Sequence, residues 1–257
     1  MRKDTVRQIL VLLSVIATII VNGLATGLPL NGQTTGEISD RFDVFFVPAG
    51  YVFSIWGLIY VGLIAYAIYQ LLPAQKDNPA LRSIGYLFVL SSLANIAWIF
   101  LWHYEQFPLT VVAMGILLLC LIAIYLRLDI GRAKVSNGMR WFVHLPFSLY
   151  LGWITVATIA NVTSLLDYWN WNGWGISEEM WAVIMLVIAT AVGGLVSFSR
   201  GDIAYAAVLI WAFVGIALKH SGNPIVSTAA WAAAVTTAVL LIIALIRRRR
   251  KQKDLAI

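Results

Sequence analysis

Apolar residues in this chain come in long runs rather than in stripes. Eight runs, at about 8–29, 48–72, 83–102, 108–127, 141–165, 180–198, 202–219 and 224–246, hold no Asp, Glu, Lys or Arg in their interiors. Only Arg127 and Lys219 touch them, at their ends. A bilayer core needs roughly 20 apolar residues per helix. In lipid the backbone must satisfy its own N–H and C=O groups, so each run predicts a helix. Strands of a membrane barrel would instead alternate over about ten residues, and no such alternation occurs. The predicted fold class is all-α integral membrane, with about eight transmembrane helices.

Composition agrees: 61% of the 257 residues are hydrophobic and 12% are charged, where a soluble domain carries about 25% charged. The net charge of +6 could point to nucleic acid, but the placement of the charge points elsewhere. Lys and Arg fall on alternate sides of the eight runs. One side takes Arg2, Lys3, Arg7, Lys76, Arg82, Arg127, Arg132, Lys134, Arg140, Arg200 and six residues from Arg247 to Lys253, which is 16 of 18. Arg41 and Lys219 are left for the other. Cytoplasmic loops retain Lys and Arg, so both termini are expected in the cytoplasm, with the plasma membrane as the expected location. The tail from Arg247 to Lys251 is then a topology anchor, with anionic-lipid binding as the sharper reading.

Arg2 and Lys3 before an apolar run, with Leu24-Ala25-Thr26-Gly27 after it, also fit a cleavable signal. Cleavage would leave seven spans and an external N-terminus. The run continues to Leu30, longer than most signal cores, which favours retention. The single cysteine, Cys120, lies deep in the fourth run, so no disulfide framework or thiolate metal site is expected.

Loops are short and punctuated by Pro and Gly, as at Pro73 to Pro79 and at Ser221-Gly222-Asn223-Pro224. Two outer loops stand out. Residues 30–47 carry Glu37, Asp40 and Asp43; residues 166–179 carry Tyr168, Trp169, Trp171 and Trp174, most simply an interfacial aromatic belt. Past residue 180 the composition shifts toward Ala, Val and Ile, with Gly193-Gly194 and the run from Ala229 to Ala234 suited to close helix packing. Two domains are therefore expected: a five-helix membrane unit at 1–166, and a three-helix extension at 167–257 with a basic tail.

Candidate chemistry concentrates in the first unit. In the third run Asn95, Trp98 and Trp102 share one helix face. In the fifth, Tyr150, Trp153, Ala157 and Asn161 do the same. The second run offers Phe53, Trp56 and Tyr60. Taken singly, such stripes are more often packing than a ligand site. Depth adds weight, because at 1.5 Å per residue Asn95 lies about 16–18 Å into its span with Trp98 and Trp102 above it. Trp56, Trp153 and Asn161 reach the same outer half from their own spans. An asparagine amide left unpaired in hydrocarbon costs several kcal/mol, so Asn95 must face protein, water or ligand. Aromatic rings with a few polar groups suit a flat hydrophobic ligand.

On these residues the chain resembles the TspO/MBR family of tryptophan-rich sensory or translocator proteins. Pro48, Phe53, Trp56 and Tyr60 look like the family's second-span pattern, though a second proline is absent. Asn95, Trp98 and Trp102 look like its third-span pattern, with Ser91 where the family has glutamine. Tyr150, Trp153, Ala157 and Asn161 look like its fifth, with Leu149 where the family has proline. The resemblance covers roughly residues 8–165. It implies a five-helix bundle whose first interhelical loop covers a ligand pocket, and it implies porphyrin, other tetrapyrrole, isoprenoid or sterol-like ligands.

The expected function is a membrane-embedded sensor or carrier for such a ligand, not an enzyme. Its partners are the lipid bilayer and a hydrophobic small molecule, with a second copy of the chain as a further candidate and no nucleic acid. No cofactor is expected. A secondary or uncoupled transporter of a small hydrophobic solute is the alternative. Coupled carriers place ionisable residues within the membrane, and no run interior holds one. His103, His144 and His220 are scattered near run ends, and the HExxH zinc pattern is absent.

Overall fold

The computed structural model describes residues 2–28 and 30–254; the side chains of Arg2, Lys3 and residues 251–254, Lys251 and Lys253 of the basic tail among them, lie outside the described part, as does Pro29. Eight main helices follow one another: α1 (Arg2–Gly27), α2 (Ile55–Leu71), α3 (Pro79–His103), α4 (Phe107–Arg127), α5 (Leu145–Tyr168), α6 (Glu178–Arg200), α7 (Ile203–Lys219) and α8 (Pro224–Asp254). The fold is all-α. Among the described residues, seven helical segments are long and apolar enough to cross a membrane, and α7 is a shorter apolar helix of 17 residues.

Local chemistry sets the helix ends. Proline stands in the first turn of α3 and α4, where its missing N–H costs nothing, while α5, with Pro146, follows directly from a π-helical turn at Arg140–His144. Asn78 caps α3 by accepting from Ala80 N–H, Ser177 caps α6 through Met180 N–H, and Asp202 caps α7 through Ala204 and Tyr205. Between α6 and α7 Gly201 takes φ +65°, the left-handed residue that ends α6.

Two compact units emerge. The first comprises residues 1–43 and 55–170, the second residues 44–54 and 171–257. In the first unit α1 packs on α2 and α3, α3 on α4, α4 on α5, and α5 back on α2, so the contacts close a ring. Gly62 lets α2 approach α5 closely, since a Cβ there would lie 3.0 Å from Pro146 Cβ. Gln8 and Gln70 donate to each other's backbone carbonyls and tie α1 to α2. Helix α1 begins at Arg2, ahead of its apolar run, so Arg7 becomes a helical and buried residue.

In the second unit α6, α7 and α8 pack on one another. Residues 44–54 join them. Ala49 N–H donates to Gly215 O at 3.2 Å and Trp211 Nε1 to Val52 O at 3.1 Å. Gly215 makes this approach possible, because a Cβ there would collide with Val52 and lie 3.1 Å from Pro48. The run at 48–72 therefore opens with a 3₁₀ turn, Gly50–Ser54, before α2 begins. Trp171, Trp174 and Trp181 pack together with ring centroids 5.2–6.0 Å apart.

Candidate functional site

Nine of the ten sequence-derived site residues lie in the first unit, in two layers one helical turn apart on α3. Phe53 does not; it sits in the Gly50–Ser54 turn, which belongs to the second unit.

The first layer is built on Asn95, which is 2% exposed. Its Oδ1 accepts from Asn22 Nδ2 of α1 at 2.7 Å, and its Nδ2 donates to the Tyr150 hydroxyl of α5 at 3.3 Å. Three helices are thus joined through one amide. Asn22 also donates to Thr18 O, one turn back along α1. The Tyr150 ring meets Trp56 of α2 at 5.9 Å, and Trp56 meets Trp153 at 6.3 Å, both edge-on. Trp56 stacks on Tyr60 at 5.4 Å with 22° between planes.

The second layer is built on Trp98. Its indole N–H donates to Asn161 Oδ1 at 3.1 Å, and Asn161 Nδ2 donates to Thr110 Oγ1 of α4 at 2.9 Å. Trp98 stacks on Trp102 at 5.2 Å and 17°. Ala157 stands on α5 one turn from both Trp153 and Asn161, half-buried, so the two layers follow each other along α5 as well.

Residues 30–43 close over the second layer. A short helical turn, Thr35–Ser39, is fixed by a capping box in which Thr34 Oγ1 accepts from Glu37 N–H and Glu37 accepts from Thr34 N–H. The Thr34 backbone N–H holds the Glu37 carboxyl below its ordinary range. Ile38 is buried against Trp102, Phe107 and Leu165, and Phe42 lies 5.6 Å from Trp102. His103 stitches this strap down. Its Nδ1 pairs with Leu30 O at 3.0 Å and its Nε2 with Thr35 Oγ1 at 2.9 Å. A carbonyl only accepts, so Nδ1 carries a proton. Trp102 Nε1 adds a bond to Thr35 O, and Asn31 Nδ2 one to His103 O.

Sequence reasoning missed Asn22, Thr110 and His103 as parts of this arrangement. Asn22 carries the same signal as Asn95, a buried amide in an apolar run. Thr110 carries none, since threonine is common in such helices. His103 stands next to Trp102 at a helix end, where a histidine is usually solvated.

Chemically the layers offer flat aromatic faces and fixed amides, with no carboxylate or cation among them. Among the described residues no group of three or more His, Cys, Asp or Glu is placed to hold a metal ion. The family model described as TSPO-like protein matches residues 8–244 of the chain. No curated protein and no solved structure matches it.

Proposed function

The chain belongs to the TSPO-like protein family, and on that premise we propose that it is a sensor or carrier that holds a planar hydrophobic ligand within its first unit. It is an integral membrane protein, and the family is non-catalytic, so the role is binding rather than turnover. A porphyrin or other tetrapyrrole is the first candidate ligand, an isoprenoid or sterol-like molecule the second.

One contrast carries the reading. Asn95, Tyr150 and Asn161 are buried and tied to neighbouring helices, whereas Trp56, Tyr60 and Trp98 stay half-buried. Fixed polar groups behind partly open ring faces suit a ligand that stacks and is oriented by a small number of hydrogen bonds. The bonds to Asn22 and Tyr150 use one lone pair and one N–H of the Asn95 amide, which has two of each.

The membrane arrangement belongs to the same proposal. Helix α7 extends over about 25 Å at 1.5 Å per residue and is taken as an eighth span, giving five helices followed by three. With 16 of 18 basic residues on one side, both termini are cytoplasmic in a plasma membrane. The Trp56–Asn161 layers then occupy the outer half of the bilayer, beneath the strap at 30–43. The binding function is kept to 1–166, with 167–257 as an addition.

The test is a titration of the purified protein with protoporphyrin, followed by tryptophan fluorescence quenching. Saturable quenching that weakens in Trp98→Ala is the expected result. Linear, non-saturable quenching would remove porphyrins, and a parallel sterol titration without saturation would remove the reading as a whole.

A further inference from the structure

We propose that the basic end of the first unit binds a phosphate group, that of an anionic phospholipid headgroup, against Arg7. The proposal concerns the end of the unit remote from the Trp–Asn layers and does not rest on their function.

Arg7 is permanently charged and only 3% exposed. Its stem lies across Gly85 of α3, where a Cβ would come within 2.7 Å of Arg7 Cδ. The guanidinium is incompletely partnered. Nη2 donates to Lys76 O at 3.2 Å and stands 3.9 Å from Asp4 Oδ1, while Nε and Nη1 are buried and find no acceptor among the described residues. A buried charge with missing partners is costly unless something supplies them. Asp4 does not supply them: it stands 3.9 Å from Nη2, beyond hydrogen-bond reach, while its two oxygens accept from Arg82 at 2.8 Å.

The surroundings favour an anion. Arg7 reaches along the first turns of α3, a 25-residue helix that starts at Pro79, so its tip lies by the positive end of that helix dipole. Arg7, Lys76 and Arg82 are set against only Asp4 and Asp77 in these segments. Guanidinium forks match phosphate oxygens, and this end of α1 and α3 adjoins long apolar runs, at the height where headgroups lie. Asp4, 3.9 Å from Nη2, is the carboxylate whose charge opposes an entering phosphate.

The full-length protein in non-ionic detergent tests this with dioctanoyl phosphatidylglycerol, dioctanoyl phosphatidylcholine and inorganic phosphate. Lipid retention in native mass spectrometry and the thermal midpoint are the readouts. Phosphatidylglycerol is expected to be retained and to raise the midpoint, and phosphatidylcholine is not. Arg7→Gln is expected to weaken retention roughly tenfold, as befits loss of a charge-assisted bond. Asp4→Asn, which removes the competing carboxylate, is expected to strengthen it. Inorganic phosphate matching phosphatidylglycerol would keep the site but overturn the lipid assignment. Equal retention of both lipids, or no gain in Asp4→Asn, overturns the proposal; these two readings stand even if Arg7→Gln does not fold.

Discussion

The indole N–H of Trp98 and the side-chain oxygen of Asn161 meet at 3.1 Å, joining α3 to α5 across residues 63 apart in sequence. The bond explains why two stripes on different helices face each other. It also fixes the plane of Trp98, and with it the stacked Trp102, before any ligand arrives. A double-mutant cycle of Trp98→Phe and Asn161→Leu should give a coupling of about 0.6 kcal/mol, the average for interhelical hydrogen bonds in membranes. Unfolding in mixed micelles measures it, and additivity of the two variants would mean the bond holds nothing together.

Ring faces should matter to binding separately from that bond. Trp56→Ala removes a half-buried ring that touches Tyr60, Tyr150 and Trp153. The expected loss is about 0.5–1.5 kcal/mol of stacking beyond area burial, or roughly two- to tenfold in protoporphyrin affinity. Quenching titrations at matched folding read this directly. Unchanged affinity would reduce the stripe to packing.

Acid should loosen the strap at residues 34–39. The Glu37 carboxyl is depressed chiefly by its bond from the Thr34 backbone N–H. A depressed folded value means the capping box stabilises above the unfolded value of about 4.5 and is lost as pH falls through the lower folded value. Amide exchange of residues 34–39, corrected for intrinsic rates, should therefore rise in that acidic window. Glu37→Gln should abolish the step while leaving the rest of the profile in place.

Gly215→Ala should destabilise the second unit. Its added methyl would collide with Val52 and press on Pro48, an overpacking that costs typically 1–3 kcal/mol, i.e. about that much here. Limited proteolysis should then cut residues 44–54 earlier than in the wild type. An unaltered cleavage pattern would show that this segment yields freely.

Topology is open to a direct check. Reporters after Lys134 and at the C-terminus should read cytoplasmic, and one near Gly173 external. An external C-terminus would end the eight-span arrangement.

Much of this was legible in the residues because lipid imposes one rule on every span. An apolar run without charge can only be a helix, so α3, α4 and α6 fall close to their expected bounds. Facing was legible too, through the spacing of Asn95 with Trp98 and of Trp153 with Asn161. Partnership was not. Helical spacing says which side chains share a face, but not that Asn22 is the group opposite Asn95 or that Thr110 completes Asn161. Phe53 shows the other limit: it lies in an apolar run beside Trp56, yet Pro48 and Gly50 start that run with a tight turn that packs with residues more than 150 positions later. Arg7 counts in the sequence only as one of the cytoplasmic-side charges, since the apolar run starts after it, whereas α1 begins earlier and carries it into the helix.

The placement of residues 44–54 bears on how the protein is made. Val52 leaves the ribosome early, but Trp211, which donates to its carbonyl, follows 159 residues later. At 5–20 residues per second that is a wait of roughly 8–30 s. Throughout it, Ala49 and Val52 have no access to the Gly215 and Trp211 backbone and indole groups that finally hold them. The second unit thus joins its earliest segment to α7, and a chain halted before α7 keeps residues 44–54 without the partners that Gly215 and Trp211 provide.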